Sequence, residues 1–144
     1  MSPLPVITCG STDPQVLNAV KPLYLPEYEV LHNVTSSSSG AVEIPLLLQG
    51  LTRPLTARQN CGSMDCSELP VAVFAGALYG DKEIDEMRQE CQGLSSVPWL
   101  KIDMTVPIPP LGPGYAEHVM QRIKACMKKI EAEGMLDQDG VWLY

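Results

Sequence analysis

Two kinds of segment alternate along the chain. Short runs at residues 6–9, 29–34, 71–75 and 99–104 have the length and the apolar, β-branched composition of strands. Between and after them lie segments with apolar residues at helical spacing, most regularly at 115–133, where Tyr115, Val119 and Ile123 share one stripe. Strands that alternate with helices predict a parallel sheet with helices on both faces.

Residues with strong local preferences mark where the helices begin and end. Asp13 followed by Pro14, and later Asp81, are typical of helix starts, because a carboxylate can accept hydrogen bonds from the first free amides. Gly93 and Gly134 stand where helices often end in a left-handed residue. Residues 35–40, with four consecutive serines, are expected to form a loop before a helix at 42–51.

These elements predict a single α/β domain over residues 1–144. Its architecture is expected to be a small three-layer sandwich, Rossmann-like or flavodoxin-like, with about four mostly parallel strands in the order 2-1-3-4. The alternation of apolar and polar residues at 99–104 favours an edge strand. Residues 52–69 are expected to form a long irregular excursion. The apolar tail 141–144 is expected to pack on the body or add an edge strand.

Charge limits the partners that this chain can bind. The net charge is −7, which argues against nucleic acid and anionic membrane surfaces. The basic residues of the last helix (Arg122, Lys124, Lys128 and Lys129) are interpreted as a solvated helix end.

The chain also shows no membrane span and no basic segment followed by an apolar core at its start, so we expect a cytoplasmic protein. Five cysteines, an odd number, are then interpreted as reduced thiols. Cys61 and Cys66 lack the spacing of a redox or zinc motif, so no metal site is predicted. No motif requires a cofactor, and the identity of any cofactor is unknown.

Two glycine-containing loops follow strands and precede helices, at the place where open α/β sheets bind ligands. The first candidate ligand-binding loop comes after residues 6–9, and the second after residues 71–75. An ordinary capped turn is the alternative interpretation of each loop. The candidate ligand-binding residues are Gly10, Ser11, Thr12, Asp13, Gly76 and Gly80.

Four side chains near these loops are candidates for acid–base or nucleophilic chemistry. Cys9 ends the first strand, where nearby helix amides could lower its thiol pKa, although burial as a small apolar residue is the favoured alternative. Tyr79 and Asp81 could supply an acid, a base or a hydrogen bond, and His32 lies in the second strand. Their spacing does not form a recognisable triad.

Residues 6–81 resemble a reduced Rossmann-type unit, because residues 6–9 run into Gly10 and Asp13, and residues 71–75 run into Gly76. Residues 75–80, together with the aromatic end of the chain, resemble short fungal α/β proteins of unassigned role. The resemblance implies a pocket for a small molecule or nucleotide. It implies no particular catalytic residue, and the missing G-x-G-x-x-G pattern argues against intact NAD(P) binding.

Three functional hypotheses follow. The first is a domain that binds a small molecule or nucleotide at the carboxyl ends of the strands. The second is a small metabolic enzyme of the isomerase, lyase or hydrolase type, acting on a carbonyl-containing or aromatic metabolite. The third is an oligomeric scaffold, with homo-oligomer contacts made by the strand around Trp99 and the tail at 141–144.

Overall fold

The computed structural model describes residues 4–10, 20, 22–25, 27–48, 70–76, 79–94, 96–107, 110 and 114–144. The elements in these ranges, in chain order, are β1 (Leu4–Cys9), β2 (Tyr28–Val34), α1 (Ser37–Leu48), β3 (Val73–Ala75), α2 (Asp81–Glu90), β4 (Pro98–Lys101), α3 (Tyr115–Ala132) and β5 (Gly140–Leu143). Val20 and residues 22–24 are also helical.

The strands form one sheet in the order β2-β1-β3-β4-β5, and every neighbouring pair is parallel. This confirms the predicted α/β class, with five strands where about four were expected. The first four strands also follow the predicted order 2-1-3-4. The order reverses at β1: the chain passes from β1 outward to β2, and then back across β1 to β3.

The fifth strand is the apolar tail of the chain. It lies beside β4, with Trp99 opposite Val141 and Leu100 opposite Trp142. Trp99 is only 2% exposed, and because β5 lies beside its strand, the prediction that this strand forms an edge of the sheet was wrong. The physical reason is that the tail carries aromatic side chains that bury surface best by pairing, and so it takes the edge position itself.

Helices cover both faces of this sheet, as a three-layer sandwich requires. One face packs against α3 through Met120, Ile123 and Met127, and we call it the α3 face. The other packs against α1 and α2, through residues such as Ile44 and Ile84, and we call it the α1–α2 face. Each face therefore has its own apolar cluster, and the strands between them are largely buried.

The serine run does not form the expected loop. Ser36 precedes α1, and its hydroxyl accepts a hydrogen bond from the Ser39 amide at 3.1 Å. This is the contact by which serine caps a helix, and it lets α1 begin at Ser37. The helix thus starts five residues earlier than the predicted start at Val42, and Pro45 lies inside it.

The expected excursion at 52–69 and the helix start at Asp13 lie outside the described residues, and the single-domain organisation stays a prediction.

Candidate functional site

Gly10 and Gly76, the residues that begin the two predicted ligand-binding loops, follow neighbouring strands at the carboxyl end of the sheet. Gly10 follows β1, and its amide donates to the Val34 carbonyl of β2 at 2.9 Å. Gly76 follows the neighbouring β3, and its amide donates to the Cys9 carbonyl at 2.9 Å. A Cβ atom at Gly76 would lie 3.3 Å from that carbonyl oxygen, a tight contact that favours glycine. Both glycines therefore flank the point where the strand order reverses.

A register shift in β2 sends polar side chains to both faces of the sheet. Val6 pairs with Val30, but Ile7 pairs with His32, so that Leu31 is an extra residue at this point. Because side chains alternate between faces along a strand, one extra residue exchanges the faces of those that follow. His32 consequently lies on the α1–α2 face. Asn33 then follows on the α3 face.

His32 forms a buried pair that the sequence analysis did not anticipate. Its Nε2 atom lies 2.6 Å from Oε1 of Glu43 in α1, and the His32 side chain is fully buried. The other ring nitrogen, Nδ1, is also buried and has no hydrogen-bond partner among the described residues. A short contact to a carboxylate is charge-assisted and fixes the ring orientation. Glu43 could have been suspected because it is a lone acid within an apolar helical segment.

Cys9 and Tyr79 lie on the same face as this pair. Cys9 is 2% exposed, and burial raises the pKa of its thiol, with a further increase from the charge of Glu43. This agrees with the alternative interpretation of Cys9 as a buried thiol. A thiol activated by helix amides would instead have a lowered pKa. The Tyr79 hydroxyl donates to the Val34 carbonyl at 3.2 Å, and burial raises the pKa of Tyr79. Three of the four catalytic candidates, Cys9, His32 and Tyr79, thus converge behind α1, away from solvent.

Asp81, the fourth candidate, lies apart from them. Its side chain is 86% exposed and forms an ion pair with Lys101 at 3.2 Å. The position that caps α2 is Gly80, and no side-chain hydrogen bond caps this helix, so the expectation that Asp81 is the cap was wrong. As the first residue of α2, Asp81 still places negative charge at the favourable end of the helix dipole.

On the α3 face, the hydroxyl of Thr8 donates to Oδ1 of Asn33 at 2.7 Å, and both residues are buried. Each of these residues is the second-last of its strand and lies near Gly10, whose added Cβ would lie 3.5 Å from the same Oδ1 atom. A buried hydroxyl and amide so close to the reversal point supply polar groups where the rest of the sheet is apolar. Their residue types gave no signal in the sequence.

Arg122 and His118 of α3 complete the polar groups at this end of the α3 face. Nη2 of Arg122 donates to the main-chain oxygens of Asp103 at 3.1 Å and Tyr144 at 2.7 Å, so the interpretation of Arg122 as part of a solvated helix end was wrong. Nη1 of Arg122 and Nε2 of His118 are buried and lack hydrogen-bond partners within the described ranges. Neither residue was predicted to belong to a site, because both resemble the helix's other polar positions.

Tyr144 connects Arg122 to the reversal point. Its hydroxyl donates to the Ala75 carbonyl, the last of β3, at 2.7 Å, while its main-chain oxygen contacts Arg122. The Tyr144 side chain is buried, and burial raises its pKa. One residue of the tail therefore spans the ends of β3, β4 and β5 on the α3 face.

A separate cavity of about 190 Å³ lies at the amino end of the sheet, between the end of α2 and the starts of β4 and β5. Arg88 and Asp139 line it, but they already pair with each other, with Nη2 and Oδ2 2.7 Å apart. Ligand pockets usually measure roughly 300–1,000 Å³, so this cavity is small for a metabolite.

Several predicted positions lie outside the described residues: Ser11, Thr12, Asp13, Cys61 and Cys66. In the described ranges, no group of three or more His, Cys, Asp or Glu side chains is placed to hold a metal ion. None of the helices in those ranges combines the length and the apolar composition needed to cross a membrane.

Comparison with known proteins gives one informative relative. No family model matches the chain, and no solved structure matches it significantly. The sequence is 32% identical over 142 residues to "Kojic acid related protein 6" of Aspergillus oryzae, covering 96% of this chain and 84% of the relative. The fungal part of the resemblance is thereby confirmed. Identity at this level over nearly the full length shows that the chain belongs to the family of Kojic acid related protein 6.

Proposed function

We propose that this protein binds a small metabolite or nucleotide at the carboxyl end of its sheet. The observation that carries the proposal is the meeting of Gly10 and Gly76 at the point where the strand order reverses. Open α/β sheets bind ligands at such points, because the connections on either side of the reversal leave in opposite directions and open a crevice. The buried polar pair of Thr8 and Asn33 beside it supplies hydrogen-bonding groups.

The cavity at the amino end is the competing location. The charged groups of that cavity satisfy each other, so a ligand would have to break the Arg88–Asp139 pair to gain hydrogen bonds. At the carboxyl end, in contrast, Arg122 and His118 keep buried nitrogens that no described residue satisfies. Hydrogen-bonding capacity that remains unused favours the carboxyl end.

Thermal-shift screening with nucleotides and small metabolites tests this proposal. Kojic acid belongs in the panel because the relative's name refers to it. A ligand at about 100 times its Kd stabilises a protein by about 2.7 kcal/mol, which is readily detected. Gly10→Ala should reduce the response, because its methyl group fits the fold at 3.5 Å from Asn33 but narrows the approach to the reversal point.

Gly140→Ala is the matched control, since its Cβ would meet only Trp142, at 3.9 Å, at the opposite end of the sheet. An equal loss of response in both variants, or a panel without any hit, would contradict the proposed site.

A second candidate function is the small metabolic enzyme, acting on a carbonyl-containing or aromatic metabolite. It is favoured by the convergence of Cys9, His32 and Glu43 on one face of the sheet. In the described conformation this cluster is buried, so substrate access requires local opening around α1. Native thiol labelling tests it, with Cys126 as a second buried thiol. This hypothesis requires Cys9 to react faster than Cys126. If Cys9 reacts no faster, it is not the nucleophile.

The third candidate is a homo-oligomeric scaffold. Trp99 no longer supports it, because β5 covers that strand. The remaining support is β5 itself, an edge strand on which Val141 is 39% and Leu143 57% exposed. Light scattering at high concentration tests this candidate, and a monomeric mass would remove it.

A further inference from the structure

The ligand's chemistry can be inferred from two nitrogens on α3. Arg122 and His118 stand four residues apart on the helix, which places their side chains on the same face as direct neighbours. Each keeps one buried nitrogen without a hydrogen-bond partner among the described residues, Nη1 and Nε2 respectively. Most buried polar atoms in native proteins are satisfied, so two exceptions one helical turn apart point to a group that satisfies them.

The geometry of Arg122 limits what that group can be. Nη2 is held by the main-chain oxygens of Asp103 and Tyr144, so the guanidinium plane is fixed and Nη1 has a defined direction. A guanidinium remains protonated in proteins and can only donate. The missing partner must therefore be an acceptor, and an anionic oxygen forms the strongest bond with a guanidinium donor.

The position of the pair connects it to the proposed ligand site. Tyr144 contacts Arg122 through its main-chain oxygen and the end of β3 through its hydroxyl, so it reaches from α3 to the residue before Gly76. The buried Thr8–Asn33 pair lies on the same face of the sheet, next to the reversal point. An elongated small molecule could thus approach the reversal point with one end and Arg122 with the other.

We propose that Arg122 and His118 form a subsite for the acidic group of the ligand, a carboxylate or a phosphate. This inference rests on the proposed function and specifies it: the ligand is a small organic anion whose acidic oxygens accept hydrogen bonds from Nη1 of Arg122 and Nε2 of His118. The role of Tyr144 is to position Arg122 and to separate this subsite from the apolar layer beneath it.

NMR titration with inorganic phosphate tests the subsite without knowledge of the natural ligand. The observed signals are the Nε–H of Arg122 and the imidazole C–H groups of His118, at constant ionic strength set with chloride. Benzoate serves as the carboxylate probe and benzamide as its neutral counterpart. We expect phosphate, benzoate or both to shift the two signals with a common saturation curve, while benzamide leaves them in place.

Variants separate binding from folding. Arg122→Gln should weaken the anion's affinity at least about tenfold, because a hydrogen bond to a charged group is lost. Since Arg122 also holds two main-chain oxygens, His118→Gln provides a second variant with less risk to the fold, expected to weaken binding about threefold or more. Arg88→Gln removes the same charge at the amino end of the sheet and should bind the anion like the unaltered protein.

Unmoved Arg122 and His118 signals with both anions would overturn the inference and assign the two nitrogens to ordered water. Binding that is equally weakened by Arg88→Gln would also overturn it, because the effect would then be one of net charge. The proposed function fails separately: its failure is a ligand panel that never perturbs Gly10 or Gly76. Anions that shift Arg122 and His118 but not these glycines support the subsite and count against the reversal point.

Discussion

At the scale of single residues, the buried contact between His32 and Glu43 determines how β2 meets α1. The pair exists because the register shift at Leu31 turns His32 toward the helix. Removing Glu43 would leave a fully buried imidazole with neither nitrogen satisfied by the described residues. A buried polar group without a hydrogen-bond partner destabilises the fold by more free energy than a typical hydrogen bond contributes to it.

Glu43→Ala is therefore expected to lower the free energy of unfolding by about 2–3 kcal/mol, because the desolvation of His32 is no longer compensated. Urea denaturation followed by circular dichroism measures it. Glu86→Ala is the control, since this glutamate is exposed on α2 and should change stability by less than about 0.5 kcal/mol. Equal effects of the two substitutions would show that the His32–Glu43 contact does not stabilise the fold.

The buried tyrosines give a prediction about pH. Burial raises the pKa of Tyr28 to about 12, and it also raises the pKa of Tyr24, Tyr79 and Tyr144. In the unfolded chain these groups ionise at about pH 10. A raised folded-state pKa means that their contribution to stability is complete below about pH 10 and is lost as the pH rises through the folded-state values.

We expect the free energy of unfolding to fall steadily above about pH 10, and tyrosinate absorbance of these residues to appear together with loss of the native fold. Parallel measurements of absorbance and circular dichroism across the alkaline range check this. Ionisation of all the tyrosines at about pH 10 while the fold persists would show that their hydroxyls are not buried.

At the scale of elements, α1 and α2 pack closely over Gly40. A Cβ at this position would overlap Sδ of Met87 and would lie 3.0 Å from Cγ1 of Val34. Both neighbours are buried, so they have little room to move. Alanine is favoured over glycine in a helix by up to about 1 kcal/mol, but overpacking costs about 1–3 kcal/mol and should outweigh it.

Gly40→Ala should consequently destabilise the protein, and its effect should be smaller in a Met87→Ala background, where the overlap is relieved. A double-mutant cycle by urea denaturation measures this coupling, expected to be about 1 kcal/mol or more. Additive effects would mean that the helices do not approach each other at Gly40.

Sequence patterns predicted these elements to different degrees. Features with strong sequence signals were predictable: the parallel order of the strands, including the neighbouring β1 and β3, and the long helix that became α3. The start of α1 was not, because a serine run favours both a loop and a capped helix, and only the hydrogen bond from Ser39 to Ser36 decides between them. The Arg122 subsite depends on contacts with the distant Asp103 and Tyr144, which no local pattern encodes.

At the scale of the whole molecule, the chain's tail joins the sheet to the candidate site. Tyr144 is 7% exposed and bonded to Ala75, whereas the adjacent Leu143 is 57% exposed. Tyr144→Ser should lower the melting temperature by about 5–10 °C, as the loss of a buried aromatic side chain in a chain of this size predicts. Leu143→Ser should have little effect in the same calorimetric measurement. Similar melting temperatures for both variants would show that β5 is not anchored by Tyr144.

The carboxyl end of the sheet is proposed to bind a small organic anion. The most direct measurement is an amide NMR titration of the full chain with benzoate and with inorganic phosphate. We expect shifts at Gly10, Gly76, Arg122 and Tyr144, with none at Arg88 or Asp139. Shifts confined to Arg88, Asp139 and the other residues of the amino-end cavity would contradict it and place the binding site at the opposite end of the sheet.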